Sequence, residues 1–421
     1  MNAPLEPISK RRVAIVLNMG ANGLGVARSL GHMGIPVIGM DFEPQSPGFR
    51  SKFVRPVRCP DPIKRPDELL ELLVAQGKEL GEKGVLFTCS DAFINVVSRN
   101  RGEISKWYEL ALPPGEVIEG IIDKRTQYDW ATKLGIPIAD TFYPMSLKET
   151  RELRGQVKFP SFIKPMKSHL WSRIFSNKGF IVRNQEELEA RFGELEGIGL
   201  EAMVQKVIMP PGENIRGAAA YYGRNGYVSP IFTWEKTRQD PPNFGVGSCV
   251  RSRWFPDIAE MSKRFAQGIG FKGIGSMNFK LDPDDGVWKL IEMNGRPWMQ
   301  NHHATASGLN LPLLQYLDSQ GLPLPTLSGF EEDVVWWDSL ADFMTFLRLR
   351  RRGRIDFNRW TRSWFLPDDN AYYGKGDIKP ALERHRYGLK FAMTLGAYLK
   401  MKEDPDAIWE DLSRPGHQEL L

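Results

Sequence analysis

The stretch KLIEMNGRPW, residues 289–298, places Glu292, Asn294 and Arg296 two residues apart. In an extended chain, side chains two apart share a face. A strand here therefore presents a carboxylate, an amide and a guanidinium together, and turns Ile291 and Met293 towards a core. Such a face suits a ligand that carries both kinds of charge, and a metal-bound polyphosphate is one. The guanidinium pairs with anionic oxygens, while the carboxylate and amide offer oxygen to a hard cation. An exposed strand end has the same sequence and no chemistry, so the rest of the chain must decide.

Other candidates lie upstream. Lys124 stands near the start of a helical segment, and Lys164 in FIKP follows an apolar run and precedes a proline. An ammonium held rigidly by that context is a good phosphate contact. MVQKVIMPPGEN has the form of a strand leaving its sheet, where freed backbone groups can bond a flat base, Gln205 can add an amide and Glu213 can accept from ribose hydroxyls. Read alone, it is a hairpin with a Pro-Gly bend. WEKTRQDPPNFGVG carries Lys236 and Arg238 on one face if extended, which is also the pattern of an exposed basic strand. His302 and His303 are adjacent and so point apart, which suits substrate contacts beside Arg296 better than a metal pair. GANGLG, with Gly20, Gly23 and Gly25, resembles a dinucleotide fingerprint, and Asp41 would then take a ribose hydroxyl. The same turn can instead offer helix amides to an anionic substrate, with Gly23 at the contact.

These residues need elements to hold them. Val13–Leu17, the glycine turn, the helical spacing of Val26, Ala27, Leu30 and Met33, and IPVIGMD read as a βαβ unit of a parallel sheet. A helix over PDELLELLVAQGKELGEKG leads to a third strand, VLFTC, ending at Ser90 and Asp91. Polar strand ends of that kind are where parallel sheets bind ligands. Pro113-Pro114 marks a boundary. Beyond it follow a helix closed by Gly135, a strand at FPSFIKP, a helix capped by Asn184, and strands at YVSPIFTWEK, GSMNFKLD and WKLIEMN, the last two joined by a PDDG turn. The fold class is α/β with an α+β second domain: a doubly wound N-terminal domain over 1–112, a two-lobed domain over 113–325 and a mostly helical extension over 326–421.

The 421 residues are 42% hydrophobic and 25% charged, which is ordinary for a globular chain of two or three domains. A net charge of +5 is mild at this length, so no nucleic-acid partner is expected. Three dispersed cysteines fit a reducing compartment, and no run is long enough to span a membrane, so a cytoplasmic protein is expected.

In order and approximate spacing, Lys124, FIKP, VQKVI, Lys236 and E-x-N-x-R resemble the ATP-grasp superfamily. LGVARSLGHMGIPVIGMD and PPNFGVG resemble its carboxylate–amine ligase branch, which contains D-aspartate ligase. The resemblance runs from about residue 12 to 320. It implies ATP and Mg²⁺ as cofactors and a carboxylate and an amine as substrates, joined through an acyl phosphate. It also implies that Lys124 and Lys164 contact the α- and β-phosphates, and that Gln205 with the Lys206, Val207 and Ile208 backbone holds adenine. Glu213 takes the ribose, Lys178 in a lid contacts phosphate, and Lys236 reaches the γ-phosphate. Glu292 and Asn294 ligate Mg²⁺, and Arg296 holds the carboxylate. Asn278 stands where the family usually has a second acidic ligand. The pocket wall is assigned to Gly23, Ser90, Asp91, Arg238, His302 and His303, with Lys236, Arg238 and Arg296 as the catalytic set.

Two rival functions follow from departures. Asn278 and the basic tail suggest a nucleotide-binding pseudoenzyme or membrane-surface scaffold, and GANGLG a nicotinamide oxidoreductase. The FLRLRRRGRIDFNRW segment suggests peripheral contact with anionic membrane, or a solvated helix face packed through its aromatics. Relatives suggest a homodimer.

Overall fold

The computed structural model describes residues 11–386, apart from 167–170, 172–173, 176–178, 211, 213, 244, 352 and 365–367. Its first apolar run forms β1 (Ala14–Leu17), buried throughout. The chain continues through the helix Ala21–Gly31 into β2 (Val37–Asp41), β3 (Val54–Arg58), β4 (Gly84–Thr88) and β5 (Tyr108–Leu110). All pairings are parallel, in the order β3-β2-β1-β4-β5. Continuous apolar strands fit a parallel sheet covered on both faces. Val16, Val26 and Leu30 pack on one side, and Ile15, Leu17, Leu69 and Phe93 on the other. The edge strand β3 escapes the sequence reading because VRPVR alternates charge and carries Pro56, which only an edge strand tolerates.

The second region has two sheets. The smaller, in the order β6-β9-β7-β8, joins β6 (Thr141–Phe142), β7 (Ser161–Pro165), β8 (Phe180–Val182) and β9 (Ala202–Lys206). The larger contains β10 (Ile215–Tyr222), β11 (Phe232–Asp240), β12 (Val246–Ser252), β13 (Gly273–Asp282) and β14 (Val287–Asn294). The turn between β13 and β14 closes with Gly286 N–H donating to the Asp282 carbonyl at 2.8 Å, Gly286 taking the left-handed φ of 69°. Asp123 caps the helix Lys124–Lys133 by accepting from Thr126 N at 2.8 Å, and Asn184 caps Gln185–Gly197 in the same way.

The C-terminal segment is not helical alone. It adds β15 (Val335–Trp337) and β16 (Asp369–Asn370) to the larger sheet, whose order is β14-β13-β10-β11-β12-β15-β16. It also ties back to the first domain. Arg28, buried in the Ala21–Gly31 helix, donates to Asp377 Oδ2 at 3.0 Å and to carbonyls of residues 370–373 and 377. A buried guanidinium is tolerated only with such full pairing. The basic–aromatic segment is partly consumed in the same packing. Phe346 stacks on Trp360 at 4.0 Å, both buried, and Arg348 pairs with Asp240. That favours the packed helix face over the membrane contact. No described helix is long and apolar enough to cross a membrane.

Candidate active site

Between the two sheets lies a cavity of about 670 Å³. Among the described residues, six cations line it: Lys124, Lys164, Lys206, Lys236, Lys280 and Arg296. Among the described lining residues the only carboxylate is Glu292. A pocket so unequal in charge is built for a polyanion.

The floor is the larger sheet. Trp234, Gly217, Asn278 and Glu292 lie directly opposite one another across β11, β10, β13 and β14. Gly217 is required there, because a Cβ would fall 2.1 Å from the Trp234 indole. Asn278 Nδ2 donates to Glu292 Oε1 at 3.3 Å, and Lys124 Nζ stands 3.7 Å from Glu292 Oε2. Burial works against the charge on Lys124, but Glu292 outweighs it and the pKa rises. A register shift follows Asn278, so Ile291 lines the cavity instead of turning to the core, where Leu290 and Met293 lie. Glu292, Asn294 and Arg296 all line the cavity as their spacing predicts. The expectation fails at Ile291 because the bulge changes phase.

The smaller sheet supplies the opposite wall. Lys164 on β7 donates to Gln205 Oε1, and Gln205 Nε2 donates to Thr141 Oγ1 at 2.9 Å. Each end of the Gln205 amide has one partner, which leaves a second N–H on Nε2 and a second acceptor site on Oε1, and the side chain lines the cavity. Burial pulls the Lys164 pKa down, and Lys124 adds to the effect. An anionic ligand would reverse this. In the hinge, Lys206 N donates to the Asp140 carbonyl at 2.9 Å and Val207 N to the Pro160 carbonyl at 3.0 Å. The Ile208 N–H has no partner among the described residues. The Lys206 ammonium crosses to Asp282 at 3.1 Å, linking the two sheets.

No family model matches the chain. A D-aspartate ligase of Enterococcus faecium (strain Aus0004) is 25% identical over 320 residues, which span 71% of this chain and 74% of that protein. The biotin carboxylase domain of Hydrogenobacter thermophilus 2-oxoglutarate carboxylase, a dimer in complex with MgADP, ADP and bicarbonate, superposes with a TM-score of 0.61 at 17% identity, covering 77% of this chain and 73% of that one. The L-amino acid ligase of Bacillus licheniformis gives 0.55 at 14% identity, with 76% of each chain covered. The chain has the ATP-grasp fold of these solved structures and is similar in sequence to a D-aspartate ligase. Within the ATP-grasp frame, the two sheets are the lobes and the cavity is the cleft between them.

Several pocket assignments need correction. Arg238 does not share a face with Lys236. Register shifts on either side of Arg238 in β11 turn it away from the cavity, where its guanidinium grips Asp342 at 2.7 and 3.1 Å. His302 lies off the cavity, paired with Asp369 at 2.9 Å. His303 is fully buried against Phe232, its Nε2 bonded to the Val334 carbonyl. Ser90 precedes the helix Asp91–Arg99 and does not line the cavity. Gly23 is a packing residue, since a Cβ there would meet the Asn18 carbonyl oxygen at 1.9 Å. Asp41 cannot take a ribose. It is buried and already accepts from Met19 N, Glu43 N and Ser46 Oγ, which removes the footing of the nicotinamide reading. Lys178 and Glu213 lie outside the described residues.

Asp91 reaches the site through Arg296, which forks onto its two carboxylate oxygens at 2.7 and 3.1 Å and also bonds Asn294 Oδ1 at 3.3 Å. Among the lining residues that escaped the sequence reading are Lys280, Asn22 and Trp298. Lys280 continues the alternation Ser276, Asn278, Lys280 on β13, a period of two that would have revealed it. Asn22 sits in the first turn of the helix Ala21–Gly31 and donates to the Pro297 carbonyl at 3.0 Å, and Trp298 stacks on Trp234 at 5.2 Å. Nothing local distinguishes those two from packing residues.

The buried His303 makes the fold acid-sensitive. Burial pushes its pKa down to about 4 from 6.5, so the unfolded chain binds the proton first. Stability is therefore intact above pH 6.5 and lost as pH falls towards 4, by up to about 3 kcal/mol. His303→Gln should flatten that part of the stability–pH curve, measured by urea unfolding between pH 4 and 7. An unchanged slope would place the sensitivity elsewhere.

Proposed function

We propose that the protein is an ATP- and Mg²⁺-dependent ligase that joins a small, amino-acid-like carboxylate to an amine and releases ADP and phosphate. The observation that carries this reading is that, among the described lining residues, one carboxylate, Glu292, is set among six cations with Asn278 and Asn294 on the same lining. That is a polyanion site with room for one divalent cation.

The donors Glu292, Asn294 and Asn278 are all oxygen-bearing and supply one full negative charge. This fits Mg²⁺, which keeps water and phosphate ligands and needs few protein carboxylates. When bound there, Mg²⁺ neutralises phosphate charge. Lys124 and Lys164 would balance the α- and β-phosphates, Lys236 the γ-phosphate, and the Ile208 N–H would meet the adenine edge. Arg296 would hold the carboxylate substrate in a two-pronged grip.

The chemistry needs that arrangement. A carboxylate and an amine do not condense in neutral water. A carboxylate oxygen attacks the γ-phosphorus, the bond to the bridging oxygen breaks, and ADP leaves. The amine then adds to the acyl phosphate, loses its proton and expels phosphate. Charge neutralisation and alignment carry such a transfer, without a protein nucleophile.

The test is ADP release from ATP and Mg²⁺ with pools of amino acids, D-aspartate first, paired with pools of amines. Release should need both substrates and cease with EDTA. ADP that binds tightly while no pool yields turnover would overturn catalysis. It would favour the nucleotide-binding scaffold, the reading that Asn278 in place of a second acid supports.

A further inference from the structure

The C-terminal segment packs against two strands that reach the cleft, β11 and β12, and β11 is irregular. β11 pairs Lys236 with Val250, then shifts register on both sides of Arg238, which opposes Cys249. A double irregularity re-aims side chains but disrupts ladder bonds, so something outside the strand must hold it. The helix Ser339–Arg351 does so at three consecutive residues. Asp342 takes the Arg238 guanidinium on both oxygens, Thr345 Oγ1 donates to the Gln239 carbonyl at 3.0 Å, and Arg348 pairs with Asp240. Asp342 is fully buried and also accepts from Ser248 Oγ at 3.2 Å on β12 and from Trp360 Nε1 at 3.0 Å. Four donors from three elements fix it, which is what a buried carboxylate requires. On the other side of the same irregularity, Lys236 and Gln239 line the cavity, and Gln239 Nε2 bonds the Asn243 carbonyl at 2.7 Å in the loop that continues the wall.

We propose that Asp342 and Arg238 are positioning residues: the C-terminal segment holds β11 in the bulged form that aims Lys236 at the terminal phosphate. This rests on the role given to Lys236 above. The segment is thus a working part of the nucleotide site, although none of its described side chains lines the cavity.

The test compares two probes, ADP and the β,γ-imido analogue of ATP, each with Mg²⁺, by titration of tryptophan fluorescence. The neutral pair Arg238→Gln/Asp342→Asn keeps hydrogen-bonding groups but loses the charged two-pronged grip. Its Kd for the imido analogue should rise about tenfold while that for ADP moves less than about twofold. Thr345→Val, which cuts the Gln239 and Asp240 contacts of the Thr345 hydroxyl and leaves the Arg238–Asp342 grip in place, should shift the ratio in the same direction by less, and it decides the matter if the double variant fails to fold. Kd values that rise together, or do not move, overturn the proposal, because a merely structural role cannot single out the third phosphate. Lys236→Ala separates the layers. If it leaves the ratio unchanged, the phosphate role of Lys236 itself is wrong. If it shifts the ratio and the Arg238/Asp342 variant does not, only the positioning role falls.

Discussion

Glu292→Ala is expected to lower the rate of ADP release by about 10³-fold or more, while ADP still binds. Glu292 is the only carboxylate among the described lining residues, and it stands within 3.7 Å of Lys124 and 3.3 Å of Asn278. Removing it leaves neutral amides and cations on the described lining, which can hold phosphates but cannot assemble a divalent ion beneath them. Nucleotide affinity without Mg²⁺ should therefore stay level or improve as a negative charge is lost, and the response of turnover to Mg²⁺ should disappear. The measurement is steady-state ADP release across a Mg²⁺ series, paired with ADP binding in EDTA. Turnover within about tenfold of wild type would show that the cation is not held here.

Arg296→Lys should cost about 10²-fold in kcat/KM for the carboxylate substrate and leave the KM for ATP unchanged. Lysine keeps the charge and loses the planar fork. In the structure that fork is filled by the Asp91 carboxylate, with contacts at 2.7 and 3.1 Å, which demonstrates that it accepts a carboxylate in two-pronged geometry. The Asp91 side chain is 55% exposed, so losing this pair should cost the fold only about 0–1 kcal/mol. The two effects separate cleanly: kinetics measured in the carboxylate and in ATP, and the unfolding midpoint. A rise confined to the KM for ATP would make Arg296 a phosphate ligand instead.

Both variants lie on the stretch from which the sequence could be read. IEMNGR placed its three polar groups together because strand geometry alone sets a period of two. The same rule misled at Ile291 and Arg238. A bulge changes phase, and whether a bulge forms depends on the partner strand and on what grips it, here β13 in one case and the Ser339–Arg351 helix in the other. The histidines illustrate a further limit. Their nearness to Arg296 in sequence suggested a pocket wall, but the helix Asn301–Ala306 carries them to Asp369 and Val334 of the C-terminal segment.

What the sequence determined by itself is local and periodic: the βαβ start, the capped helices, the glycine-closed turn, the alternating faces of β13 and β14, and the order of cations along the chain. Tertiary structure alone decided which cations share one cavity, that Asp41 is spent on its own turn, that Asp91 meets Arg296, and that the C-terminal segment completes the larger sheet. The physical reason is range. Dihedral preference and burial periodicity act over a few residues and are written in neighbours. Pairing Arg28 with Asp377 or Arg238 with Asp342 joins positions far apart in the chain, and only the packed fold brings such charges within reach of each other.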